Sequence, residues 1–105
     1  MGKKYVYLFI RQDLSNPQKV VQSVHSAIEM ARFQMTDQDE VPSVVAIGVK
    51  SELHLEKEYQ RLLGIGIKIF PFYEPMFNNE FTSFMTVPLE GKDREPLLKY
   101  SLLRC

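Results

Sequence analysis

Cysteine is almost absent from this sequence. Among its 105 residues the single cysteine is Cys105, so the chain cannot form an intrachain disulfide or a cysteine-rich metal site. The two histidines, His25 and His54, fall on different predicted helices, and neither has a second ligand at metal-binding spacing. We therefore expect no metal.

An excess of one charge and long apolar runs are also absent. The 13 basic residues balance the 13 acidic ones. Overall charge therefore gives no reason to expect a polyanionic partner, although a local basic patch can still bind phosphate. The apolar run near the start, Tyr5–Ile10, is too short for a secretion signal or a membrane span. We expect a cytoplasmic protein with no membrane contact.

The common enzyme motifs are missing as well. The sequence has no glycine-rich nucleotide-binding motif, no paired-histidine zinc motif and no serine nucleophile elbow. Gly64 and Gly66 follow a predicted helix and are typical of a turn rather than of a phosphate cradle. We expect no organic cofactor.

Apolar periodicity predicts alternating strands and helices in one domain, residues 1–105. Both alternating sets of Tyr5–Ile10 are apolar, which is typical of a central strand covered on both faces. Ser15 can cap a helix whose first turn contains Pro17, and Ser51 can cap a second helix. The predicted strands are 5–10, 43–49, 67–72 and 81–87, and the predicted helices run to about residues 33, 63 and 99.

The first helix has an apolar stripe at helical spacing. We expect this stripe to pack on the sheet; its members are Val20, Val21, Val24, Ala27, Ile28 and Ala31. The opposite face is polar and is expected to face water; it carries Lys19, Ser23, Ser26 and Arg32.

The order β-α-β-α-β-β predicts an α/β fold in which the first two strands are parallel and joined by a right-handed crossover. Sites in such sheets form beyond the carboxyl ends of the strands. The turn at 13–18 and the loop at 73–79 follow two of these ends. We expect a functional site to be formed by these two segments.

Two motifs near the start of the chain resemble a known family. Ile10-Arg11-x-Asp13-Leu14, a turn, and then Gln22-x-x-His25-x-Ala27 resemble the peptidyl-tRNA hydrolases of the archaeal and eukaryotic type. The segment 81–88 is similar to the last strand of that family, and 93–103 is similar to the tail of its shorter members. The likeness covers most of the chain.

The resemblance implies a fold and a reaction. The fold would be a three-layer α/β/α sandwich around a four-stranded mixed sheet of order 2-1-4-3, with the fourth strand antiparallel. The reaction would be hydrolysis of the ester that joins a peptide to the terminal ribose of tRNA, with no metal or organic cofactor. The partner would therefore be peptidyl-tRNA.

The resemblance also implies site residues. The family has a lysine, an aspartate and a threonine at positions that fall on Gln18, Glu74 and Thr82. Gln18 carries no charge, and losing one oxyanion stabiliser typically costs about 10² to 10³ in rate. In this hypothesis Glu74 orients or deprotonates water, and Gln18 and Thr82 donate to the oxyanion.

Other residues complete the hypothetical site. His25 and Asp13 would hold its polar network, and Gln22, Lys19 and Arg32 would contact the substrate. A basic strip would bind the acceptor stem of tRNA, with a steep dependence on salt; its members are Lys3, Lys4, Lys19 and Arg32.

Each of these residues also has an ordinary structural interpretation. His25 borders the apolar stripe, Asp13 can fix the turn after the first strand, and Thr82 is a common type of strand residue. Glu74 can be a solvated loop carboxylate. A second function class is therefore open, a hydrolase fold without catalysis that serves as a binding or dimerisation module. A serine hydrolase built on Ser23 or Ser26 is disfavoured, because side chains that neighbour His25 on a helix point away from it.

Overall fold

The computed structural model describes residues 2–104 and contains one sheet with helices on both faces. Its elements are β1 (Tyr5–Arg11), α1 (Asn16–Gln34), β2 (Ser43–Val49), α2 (Glu52–Gly64), β3 (Ile69–Glu74) and β4 (Glu80–Thr86). Two short 3-10 helices, Pro75–Phe77 and Gly91–Leu97, follow β3 and β4.

The strand order is β2-β1-β4-β3. β2 runs parallel to β1, whereas β4 runs antiparallel to both of its neighbours. Phe9 of β1 lies opposite Phe84 of β4 at the centre of the sheet. The mixed sheet, its order and the antiparallel fourth strand are therefore confirmed.

Alternate side chains of β1 face different helices. Phe9 belongs to an aromatic-rich core cluster that includes Leu55 of α2, whereas Leu8 packs with Met30 of α1. This alternation follows from the two-residue period of a strand. Both faces of the sheet are covered, which confirms the three-layer α/β/α architecture.

The helix starts form as predicted. The Ser15 hydroxyl accepts a hydrogen bond from the backbone N–H of Gln18 at 3.3 Å, and the Ser51 hydroxyl accepts one from the N–H of His54 at 3.4 Å. Each bond satisfies a backbone donor that a helix start leaves without an intrahelical partner.

Two element boundaries differ from the prediction. β3 runs through Pro71 to Glu74, so Tyr73 and Glu74 belong to the strand rather than to the loop. A proline is tolerated there because β3 is an edge strand, where its missing N–H breaks no ladder bond. The segment predicted as a helix at 92–99 forms 3-10 turns at Gly91–Leu97 instead.

The predicted orientation of α1 is wrong. The valines at 20, 21 and 24 and Ile28 are exposed, and the side of the helix against the sheet buries Lys19, Gln22, Ser26 and Met30. The stripe has the right period but lies on the outer side of the helix. The sheet beneath the first half of α1 is polar, so hydrogen bonds rather than apolar contacts hold this part of the helix.

A β-bulge explains the polar surface beneath α1. Phe72 of β3 pairs with Ser83 of β4, and the next residue, Tyr73, pairs with Phe81, so Thr82 is an extra residue on β4. Strand side chains normally alternate between faces, but Thr82 and Ser83 both bond to α1. The bulge therefore turns two consecutive hydroxyls toward one helix, as bulges near sites often re-aim side chains.

The end of the chain pairs with the outer edge of β2. The N–H of Leu103 donates to the carbonyl of Ala46 at 2.9 Å, and the N–H of Gly48 donates to the carbonyl of Ser101 at 3.3 Å. These bonds cover part of an edge strand that would otherwise present free backbone groups.

Candidate functional site

Four strand ends meet at one edge of the sheet. β1, β2 and β3 end there and β4 begins there, because β4 alone runs antiparallel to the other three. The first half of α1 lies over the same edge and packs on β3 and β4. The turn after β1 and the segment after β3 therefore lie at the same edge, as the sequence predicted.

Glu74 is the acidic group of this edge. It is buried at the end of β3, and its Oε1 accepts a hydrogen bond from Gln22 Nε2 at 2.9 Å. Its Oε2 accepts the N–H of Met76 at 3.3 Å, which caps the 3-10 helix Pro75–Phe77. The bond from Gln22 lowers the pKa of Glu74 most, the Met76 N–H and the charge of His25 lower it further, and burial opposes them. Glu74 is therefore a carboxylate at neutral pH.

His25 lies beside this carboxylate. Its Nδ1 is 3.8 Å from Glu74 Oε1, and its ring packs on Phe72 at 4.5 Å between centroids. Nδ1 is buried and makes no hydrogen bond within residues 2–104, although 37% of the side chain is exposed. The distance is slightly too long for a hydrogen bond. The imidazole therefore lies next to the carboxylate but is not hydrogen-bonded to it.

Gln22 holds the site together. It is fully buried, its Oε1 accepts from Thr82 Oγ1 at 2.8 Å, and its Nε2 donates to Glu74 and to Gln18 Oε1. A threonine hydroxyl has one proton to give, and giving it to Oε1 fixes which end of the amide faces Glu74. Thr82 thereby directs the two Gln22 donors toward the outer rim.

Two serines support the network from the centre of the sheet. Ser26 Oγ and Ser83 Oγ are 2.6 Å apart, and Ser83 Oγ also donates to the backbone carbonyl of Gln22 at 3.0 Å. Both serines are fully buried. Sequence reasoning placed Ser26 in water and did not single out Ser83; the polar spacing of Gln22 and Ser26, one helical turn apart, was the available signal.

Most of the predicted site residues lie together. Five of them meet in one network on the α1 side of the sheet: Gln18, Gln22, His25, Glu74 and Thr82. Within that network the buried Gln22 and Thr82 are bonded to other protein groups, so neither is free to contact a substrate in this conformation.

Asp13 lies at the same edge but in another cluster. Its carboxylate accepts two hydrogen bonds from the Arg11 guanidinium, at 2.9 and 2.8 Å, and Arg11 also donates to Glu80 at 2.7 Å. The hydrogen bond from Arg11 lowers the pKa of Asp13, and the two carboxylates raise the pKa of Arg11. This cluster joins the end of β1 to the start of β4, which is a structural role.

The predicted basic strip does not form. Lys19 is buried, and its ammonium donates to the Arg104 carbonyl at 3.1 Å and to Asn16 Oδ1 at 3.3 Å. Arg32 is exposed further along α1 and pairs with Glu29. Lys3 and Lys4 precede β1 and therefore lie at the opposite edge of the sheet. Two exposed cationic residues at the site's edge of the sheet are Lys50, which follows β2 on the far side of the sheet from β3, and Arg104.

Within residues 2–104 no group of three or more histidine, cysteine, aspartate or glutamate side chains is arranged to hold a metal ion. In the same part of the chain, no helix is both long enough and apolar enough to cross a membrane.

Comparison with known proteins gives a fold likeness. No protein-family model matches the chain, and no curated protein does. The chain is similar to a solved structure of a protein of unknown function from Agrobacterium tumefaciens, with a TM-score of 0.72 and 16% sequence identity over 100% of both chains. At that identity the likeness establishes a shared fold and nothing about chemistry.

Proposed function

We propose that this chain hydrolyses the ester of peptidyl-tRNA or of a closely related acylated tRNA, without a metal or an organic cofactor, in the cytoplasm. One observation carries the proposal: a buried carboxyl group, that of Glu74, lies 3.8 Å from the imidazole of His25 at a rim where three strands end. A carboxylate fixed beside a histidine is suited to general acid and base catalysis.

In the proposed reaction Glu74 accepts a proton from a water molecule as that water attacks the ester carbonyl. The new carbon–oxygen bond forms, the bond to the ribose oxygen breaks, and a proton returns to that oxygen from His25 or Glu74. Gln18 accepts a bond from Gln22 through its Oε1, and within the described chain its Nε2 has no partner. Those two N–H groups are the donors for the oxyanion.

Thr82 has a different role in this proposal from the one the resemblance implies. Its hydroxyl proton goes to Gln22 Oε1, so it cannot also go to an oxyanion. Thr82 is instead a positioning residue, because it orients the amide that holds Glu74. In this proposal Lys50 and Arg104, two exposed cations at this edge, contact the tRNA backbone.

The direct test is release of free tRNA from peptidyl-tRNA by the purified protein. We expect turnover that weakens as salt is raised, since contacts to phosphate release counterions. Absence of turnover at low salt would reject the proposal that the chain is an enzyme and would favour the second candidate, a binding module.

Restoring the lysine of the family gives a second test. Gln18→Lys places an ammonium where the oxyanion forms. We expect the rate to rise at least about tenfold, with an upper limit of about 10² to 10³, the contribution of one such donor. Gln34→Lys adds the same charge at the far end of α1 and serves as the matched control. An equal rise in both variants would trace the gain to general attraction of tRNA and not to the oxyanion.

A binding module remains the second candidate. The observation that favours it is the exposed apolar face of α1, which lies away from Glu74. Such a contiguous face is typical of interaction surfaces. The two functions are compatible, because the face and the catalytic network lie on different sides of the same helix.

A further inference from the structure

The outer face of α1 carries a row of branched apolar side chains, which we call the outer stripe: Val20, Val21, Val24 and Ile28. Between 41% and 64% of each of these residues is exposed. At 100° per residue the four side chains lie within about 100° of one another around the helix. Single exposed apolar residues are ordinary, but a continuous row of them is typical of a surface that binds another molecule.

Helix propensity does not account for the outer stripe. Valine and isoleucine lose side-chain freedom in a helix, so exposed positions favour alanine, leucine, lysine or glutamate. The sheet side of the same helix instead holds Gln22 and Ser26, both fully buried. α1 therefore has polar groups inside and apolar groups outside, and no other element covers the stripe within residues 2–104.

We propose that a second copy of this chain covers the outer stripe, through antiparallel packing of α1 against α1 about a two-fold axis beside Val24. A two-fold contact must be self-complementary, since the same patch meets itself. The spacing satisfies this condition, because an axis at Val24 brings Val20 opposite Ile28 and Pro17 opposite Ala31. The stripe and its two end residues span about 20 Å at roughly 1.5 Å per residue.

A shallow, open groove lies at the end of the stripe. It has a volume of about 550 Å³ and its lining includes Ile28, Ala31, Met35 and Val41. In the antiparallel register this groove receives Pro17 and Val20 of the second copy. The groove is mostly apolar, as are the side chains that would enter it.

Charge is complementary in the same arrangement. The charged residues that line the groove are Asp37, Asp39 and Arg32, so its net charge is negative. The first turn of α1 has no acidic residue. The amino terminus of a helix carries a partial positive charge that favours nearby carboxylates. Antiparallel packing places that positive end of each helix beside the acidic loop of the other, whereas parallel packing would bring the two acidic loops together.

The contact is expected to be small, because it consists of one helix pair and two shallow grooves. Specific, stable interfaces begin at about 1,200 Å² in total, and we expect this contact to be no larger. Contacts of this size are typical of weak or transient complexes, so we expect a dissociation constant on the order of 10 μM.

Sedimentation velocity of the full chain tests the dimer. We expect a shift from monomer to dimer as concentration rises through about 10 μM, and Val24→Glu should remain monomeric to about 100 μM because it buries two charges at the axis. The matched control is Leu53→Glu, an exposed apolar residue on α2 that is 76% exposed, which should dimerise like the parent. A monomeric parent at about 100 μM, or a dimer that Val24→Glu leaves intact, would overturn the proposal.

Cysteine crosslinking tests the register independently. In a Cys105→Ser background, Val24→Cys lies on the axis and should form a disulfide-linked dimer under mild oxidation. Val20→Cys is opposite Ile28 in this register and should not link to itself. Efficient linking at 20 without linking at 24 would contradict the register, and unchanged circular dichroism would show that the variants remain folded.

Discussion

Glu74→Gln should lower the rate of peptidyl-tRNA hydrolysis by about 100-fold or more, since a positioned general base contributes about 10² to 10⁴. Glutamine has nearly the same shape and keeps one oxygen, which can accept the bond from Gln22 but not also the one from the Met76 N–H. Circular dichroism checks that the variant is folded, and the base is lost. The measurement is single-turnover release of free tRNA by the parent and by the variant.

The matched control is Glu95→Gln, which removes an exposed carboxylate far along the chain in the turns that pack on the α2 side. It should hydrolyse at the parent rate. A loss in Glu74→Gln of less than about threefold, or an equal loss in both variants, would contradict a catalytic role for Glu74.

The pH dependence should follow the ionisation of Glu74. Its pKa lies below the ordinary range in the folded protein, so the active carboxylate persists into mildly acidic solution and the rate falls only as pH drops through the lowered value. The stability of the fold depends on pH in the same direction as the rate. Glu74 stabilises the fold at pH above the unfolded pKa, and this contribution is lost as pH falls through the folded pKa.

Gln22→Leu should destabilise the fold by about 2 to 4 kcal/mol. Leucine fills a similar volume, but it leaves the Thr82 hydroxyl and the Glu74 carboxylate without the amide that pairs with them. Each buried group left unsatisfied costs about 1 to 3 kcal/mol. Urea unfolding at neutral pH measures the loss, with Gln38→Leu on the exposed loop as the control.

A double variant separates the network from simple packing. Thr82→Val removes the hydroxyl that donates to Gln22 Oε1. In a protein that already carries Gln22→Leu this hydrogen bond is absent, so removing the hydroxyl costs less stability. We therefore expect Gln22→Leu with Thr82→Val to lose at least about 0.5 kcal/mol less than the sum of the two single changes. Strict additivity would mean that the two side chains act independently.

The layers of the fold could be predicted from the sequence, but the ends of its strands and helices could be predicted only in part. The apolar run at Tyr5–Ile10 and the caps at Ser15 and Ser51 are local signals, and the structure confirms them. The end of β3 was predicted two residues early, at 72, because the prolines at 71 and 75 indicated a loop between them. The pairing of Tyr73 with Phe81 and of Glu74 with Glu80, a tertiary fact, extends the strand.

The orientation of α1 could not be predicted from its own pattern. Periodicity shows that Val20, Val24 and Ile28 share a face, but it does not say whether that face meets the sheet. The deciding feature is the bulge at Thr82, which turns two hydroxyls toward Gln22 and Ser26. A bulge depends on the pairing of two distant segments, and neither segment reveals it alone.

The candidate site could also be predicted from the sequence only in part. The sequence correctly brought the segments containing Gln18, His25 and Glu74 to one edge, because strand direction fixes which ends meet. It did not reveal that Lys19 turns inward to the Arg104 carbonyl, since that contact depends on the position of the chain end. The roles of these residues in catalysis stay predictions.

An NMR titration of the Glu74 side-chain carboxyl carbon, in the parent protein and in Gln22→Leu, tests the central claim most directly. That claim is that the Gln22 amide holds Glu74 ionised beside His25. We predict a pKa below the ordinary range of glutamate in the parent and a clear rise in the variant. An ordinary pKa in the parent, or the same low value in both proteins, would contradict it.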